Sequence, residues 1–148
     1  DRGNLEHVRR TAHELMLCDR IHFLGFVSRD ELVALYRNAL TLVFVSYFGP
    51  DNLPPLEAFA LGCPVIAANV PGAEEQLADA ALRVDPDCPE QIAAAIRQLH
   101  DDSALAAQYV ERGMQRARAF TGDDFVLRVF RLLDEFAPIR DCWSSPAK

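Results

Sequence analysis

Apolar runs of strand length alternate with amphipathic stretches of helical period along this chain. That alternation predicts an α/β fold built on a doubly wound parallel sheet. Two details sharpen the prediction. The run LTLVFVS at 40–46 is almost wholly apolar and rich in β-branched and aromatic residues, as a strand covered on both faces is. Gly, Pro and Asn residues punctuate the runs at the points where strands hand over to helices.

Taken in order, Leu5, Val8, Ala12 and Leu15 recur at helical spacing and predict a helix over 4–17. IHFLGFV, 21–27, reads as a short buried strand. Ser28-Arg29-Asp30-Glu31 has the form of a capping box and opens a helix with Leu32, Leu35, Tyr36 and Ala39 on one face. After the strand at 40–46, Asn52 is placed to cap a helix whose first turn tolerates Pro54 and Pro55. Leu56, Phe59 and Ala60 supply its apolar side, and Gly62 with Pro64 stops it. PVIAAN, 64–69, is the next buried strand. Pro71-Gly72 turns into a short helix near 73–78, and ALRVD, 81–85, is the last strand. Asp87 is placed to cap a helix with Ile92, Ala95, Ile96 and Leu99 facing the core. Helices follow over 103–119 and from Thr121 to just before Pro138, where the rest reads as a loosely held tail. The helical start is odd for this fold class, so at least one strand, in a βαβ unit, is expected upstream of Asp1.

The 148 residues are enough for one domain with a real core, and half of them are hydrophobic. A formal net charge of −7 argues against a sequence-independent nucleic-acid surface. The four cysteines (Cys18, Cys63, Cys88, Cys142) form no CxxC, and the histidines are scattered, so free thiols and no metal site are expected. No apolar stretch approaches the roughly 20 residues of a membrane span.

In open parallel sheets ligands bind beyond the carboxyl ends of the strands, and Ser46–Leu53 lies at such an end, just before a helix. A helix start offers free N–H groups and the positive end of its dipole, suited to phosphate. Gly49 permits close approach of backbone to a ligand and Pro50 stiffens the turn. Glu57 lies near the start of that helix, where its carboxylate suits either two sugar hydroxyls or plain complementation of the dipole. The residue pattern alone leaves both open. Asp51 likewise reads as a site acid or, more simply, as a turn residue. No GxxxxGK, no GxGxxG and no nucleophile–base arrangement is present.

The order FLGFVSRDELVALYRNAL, then an apolar strand, LPPLEA, G-x-PVIA and ALRVDP resembles the C-terminal half of retaining glycosyltransferases of group 1 (family 4), closely over 21–98 and more loosely to about 136. The resemblance implies a Rossmann-like parallel sheet with helices on both faces, the C-terminal half of the GT-B architecture, in which this half holds the nucleotide-sugar donor. It makes 1–136 a nucleotide-sugar-binding domain and 137–148 a C-terminal tail.

By the same resemblance Glu57 matches the second glutamate of the family's E-x7-E motif, similar to a ribose-hydroxyl ligand. Gly49 stands where the first glutamate is expected, so sugar recognition must differ. Backbone N–H groups of Asp51, Asn52 and Leu53 would face the sugar and diphosphate. Phe26, Val27, Ser28 and Arg29 correspond to the loop lining the nucleobase, with Arg29 either stacking on the base or simply solvated at a helix start. The family's Arg and Lys that neutralise the diphosphate have no counterpart here and are expected upstream. The resemblance further implies a donor substrate and no cofactor or metal, an N-terminal acceptor-binding domain as partner, no nucleic acid, and a cytoplasmic place with peripheral membrane contact through that other domain. A fragment without that domain is expected to be inactive in transfer. A GT-B-like nucleotide-sugar epimerase and a non-catalytic nucleotide-sugar-binding module are the alternatives.

Overall fold

The computed structural model describes residues 4–47, 52–119 and 121–144. The chain divides into two units, Asp1–Leu32 and Val33–Lys148. In the first, α1 (Asn4–Glu14) is followed by a single 3-10 turn (Cys18–Arg20) and an extended stretch. Ala12 is the buried residue of α1, and the Arg9 guanidinium lies 5.3 Å from the centre of the Phe23 ring. The helix α2 (Arg29–Asn38) begins in this unit with its capping box formed. The Ser28 N–H donates to Glu31 Oε2 at 2.7 Å and the Glu31 N–H donates to Ser28 Oγ at 3.3 Å.

The strand expected at 21–27 is not formed. Phe23, Leu24 and Phe26 are exposed there, Phe26 completely. A strand exists only when a neighbour takes its backbone hydrogen bonds, and among the described residues no strand pairs with this one.

The second unit holds a parallel sheet of three strands, β1 (Leu42–Phe44), β2 (Val65–Ala68) and β3 (Ala81–Val84), in the order β1-β2-β3. The register pairs Leu42 with Val65 and Ile66 with Leu82. Between the strands run α3 (Leu53–Ala60) and α4 (Ala73–Leu77), and after them α5 (Pro89–Asp101), α6 (Ser103–Arg118) and α7 (Gly122–Ser144). All four residues of β2 are buried because it is the central strand. β1 was expected to be covered on both faces, but it is an edge strand with Val43 exposed. An apolar run reports the preference of the residues, whereas cover depends on what lies alongside.

One core cluster joins Ile66 and Val84 of the sheet to Ala95 and Leu99 of α5, with Ile92, Ile96, Ala106 and Tyr109 packed around them. Each fully buried side chain of the size of Ile66 or Leu99 contributes about 1.5–3 kcal/mol. Elsewhere α3 packs on α6 so closely that Phe59 lies over Gly113. α3 ends as its Gly-Cys-Pro break predicts. Gly62 takes a φ of 75°, its N–H donates to the Phe59 carbonyl at 3.1 Å and the Cys63 N–H donates to that of Ala58 at 2.9 Å.

Two helix boundaries differ from expectation. The residue capping α5 is Cys88, not Asp87, whose N–H instead takes the Asp85 carboxylate at 2.9 Å. α7 does not stop before Pro138 but continues through it to Ser144. A proline removes one rung of the helical ladder and bends it, which does not oblige the chain to leave the helix. Among the described residues no helix is long and apolar enough to cross a membrane.

Candidate functional site

The carboxyl ends of β1 and β2 open onto a narrow crevice bounded by Ser46, Asn52, Pro55, Val70 and Gln76. Its position follows from the parallel sheet, in which every strand delivers its C-terminal end to the same edge. Tyr47, just past β1, donates a hydrogen bond to the Asp87 carboxylate beyond β3 and so spans that edge. Of the site residues expected from the sequence, Gly49, Pro50 and Asp51 lie outside the described residues.

Asn52 does occupy the N-cap position of α3, but its side chain caps nothing. The physical reason is in the sequence. A capping oxygen accepts from the N–H of the second or third helical residue, and here those are Pro54 and Pro55, which have none. Asn52 instead adopts φ 24° and ψ 44°, and its carbonyl accepts a 3.0 Å hydrogen bond from Gln76 Nε2 of α4. The two prolines also thin out the donors of the helix start. Of the four N–H groups that an α-helix leaves unsatisfied at its beginning, only those of Asn52 and Leu53 exist here. The positive end of α3 is thus presented through two adjacent amides.

Glu57 lies five residues into α3 and is exposed. Its charge is felt by Tyr36 of α2, a buried side chain. Burial first, and then the negative charge of Glu57 and the neighbouring Cys63, push the Tyr36 hydroxyl above its usual 10.0. Tyr36 is therefore neutral at physiological pH, while the Glu57 carboxylate stays open to solvent. Burial likewise pushes the Cys63 thiol above its usual 9.0. The paired amides and this exposed carboxylate form an arrangement able to accept hydrogen bonds from a diol and donate them to an anion.

Phe26, Val27, Ser28 and Arg29 belong to the first unit or to the start of α2. Val27 is half-buried, the other three are exposed, and the Ser28 N–H is already taken by Glu31. Sequence reasoning missed Gln76 and the role of Tyr36. The tyrosine was legible only as a member of an apolar helix face. Gln76 sits in a short helix whose pattern gives no hint that its amide reaches back to residue 52.

A family model described as "Glycosyl transferases group 1" matches residues 1–116. The chain is 35% identical over 104 residues to O-antigen chain mannosyltransferase B of Escherichia coli, which covers 70% of this chain and 27% of that protein. It is 36% identical over 115 residues to D-inositol 3-phosphate glycosyltransferase of Corynebacterium glutamicum, with 76% of this chain and 28% of that protein covered. Its structure matches sucrose-phosphate synthase from Thermosynechococcus elongatus with a TM-score of 0.80 at 28% identity, over 90% of this chain and 34% of that one. The chain therefore spans only 27–34% of the length of these relatives. The Rossmann-like parallel sheet is that of the C-terminal half of the GT-B architecture, and with the family match over residues 1–116 it establishes that the chain belongs to the group 1 glycosyltransferases.

Proposed function

We propose that the chain is the donor-binding part of a longer enzyme that transfers a sugar, with retention, from a nucleotide-diphosphate sugar to an acceptor in polysaccharide or glycolipid assembly. The observation that carries this reading is the pairing of two features of α3, its exposed Glu57 carboxylate and the amides of Asn52 and Leu53 at its start, at the carboxyl edge of the sheet. In this reading Glu57 accepts hydrogen bonds from the two ribose hydroxyls. The amides and dipole of α3 face the diphosphate and stabilise the charge that develops on it as the glycosidic bond breaks. The donor needs no metal for this. In this reading the acceptor is bound by another part of the parent protein. The name of one relative, O-antigen chain mannosyltransferase B, supports a role in polysaccharide assembly.

The test is a titration of the protein with UDP-, GDP- and ADP-sugars, comparing wild type with Glu57→Ala. Losing a charge-assisted pair of hydrogen bonds is expected to weaken binding of the preferred donor by about 2 kcal/mol, roughly thirtyfold. An affinity untouched by the substitution would remove Glu57 from the ribose site. The 148-residue chain is expected to bind the donor weakly and to show little transfer to any acceptor, and robust turnover by it would contradict the division of labour proposed here.

A further inference from the structure

The side chain that fixes the start of α3 comes from another helix. Gln76 is half-buried on α4, and its Nε2 donates to the Asn52 carbonyl at 3.0 Å. The end of α4 is itself braced from α6. Arg116 Nε donates to the Gln76 carbonyl at 2.9 Å, and a second guanidinium nitrogen of Arg116 donates to the carbonyl of Glu75. The sequence thus assembles a relay from α6 through α4 to the first turn of α3, where the expected side-chain cap is impossible because Pro54 and Pro55 carry no N–H.

The relay has a directional consequence. The Asn52 carbonyl and the Leu53 N–H belong to one peptide group, which is planar and trans, so the two point in opposite directions. Holding the carbonyl toward α4 aims the Leu53 N–H away from it.

We propose that Gln76 is a positioning residue that aims the Leu53 amide at the diphosphate of the donor, with Arg116 bracing it. This rests on the donor-site reading given above. Gln76 touches neither the ribose nor the base in that reading, so its loss weakens diphosphate recognition selectively.

The experiment uses the 15N-labelled 148-residue chain, titrated with UDP, GDP and ADP and with UMP, GMP and AMP. Gln76→Met keeps length and removes the donor, and Gln76→Asn, one methylene short, serves as the second variant should the first fail to fold. The expected result is a roughly tenfold weaker affinity for the preferred diphosphate, a change below about twofold for its monophosphate, and a displaced Leu53 amide resonance in the ligand-free chain. Equal losses for mono- and diphosphate, or an unmoved Leu53 resonance, overturn the proposal. Glu57→Ala runs alongside. If it weakens binding while Gln76→Met does not, the Gln76 assignment alone falls. If the wild type binds none of the six nucleotides, or Glu57→Ala loses nothing, the donor-site reading falls and this proposal with it.

Discussion

Tyr36 and Glu57 show how a buried phenol on one helix can be coupled to the charge of an exposed carboxylate on another. The folded chain holds the Tyr36 proton more tightly than the unfolded chain does, because burial and the Glu57 charge both oppose the phenolate. The linkage therefore gives stability that is complete below the usual 10.0 and is lost as pH climbs through the raised value in the folded state. Cys63 adds a loss of the same sign that begins above its usual 9.0. Urea midpoints measured from pH 8 to 11 should fall, and Tyr36→Phe should flatten the upper part of that fall. A Tyr36→Phe curve that runs parallel to wild type would show that the phenol is not coupled as described. At this scale Glu57 was legible in the sequence because a carboxylate near a helix start after a buried strand is a local pattern. Its tyrosine was not, because helical periodicity registers the ring and is blind to the charge its hydroxyl feels.

Helices and strands were read well where their signals are local and poorly where they depend on neighbours. Gly62 and Pro64 stop α3 because the left-handed turn and its two hydrogen bonds are properties of a few consecutive residues. The stretch 21–27 has strand composition yet forms no strand, since pairing is decided by a second chain segment. The α3–α6 contact is another such property, and it turns on a glycine that sequence reasoning passed over. A Cβ placed on Gly113 would come within 2.6 Å of Cδ1 of Phe59, whose ring is 1% exposed and has nowhere to move. Overpacking of this kind costs about 1–3 kcal/mol and exceeds the ~1 kcal/mol that alanine gains over glycine in a helix. Gly113→Ala should thus lower stability to urea, by up to about 2 kcal/mol. Phe59→Leu in the same chain should recover part of it, because the two changes share one space. A stabilised Gly113→Ala would mean that α3 and α6 are less tightly apposed.

Over the whole molecule, the order of strands and helices from α2 to α7 was legible because the period of hydrophobicity switches cleanly between the two types. The cover on each element was not. α7 illustrates this, since Phe125, Val129, Leu132 and Phe136 stand at core-like helical spacing and all are exposed. An apolar face of that extent is expected to bind a hydrophobic dye and to drive self-association of the isolated chain. The double change Phe125→Ser and Leu132→Ser should cut dye fluorescence by about half and leave unfolding stability within ~0.5 kcal/mol, as exposed positions do. Undiminished fluorescence would place the exposed apolar surface elsewhere. The proline pair that opens α3 has an effect of a different kind, felt before any fold exists. Two φ angles of that turn already sit near their helical value in the unfolded chain, so ordering the turn forfeits less conformational entropy than it would with ordinary residues. The edge at which a ligand would arrive is in this sense rehearsed by the covalent chain, and arrival need not provide the free energy to shape it.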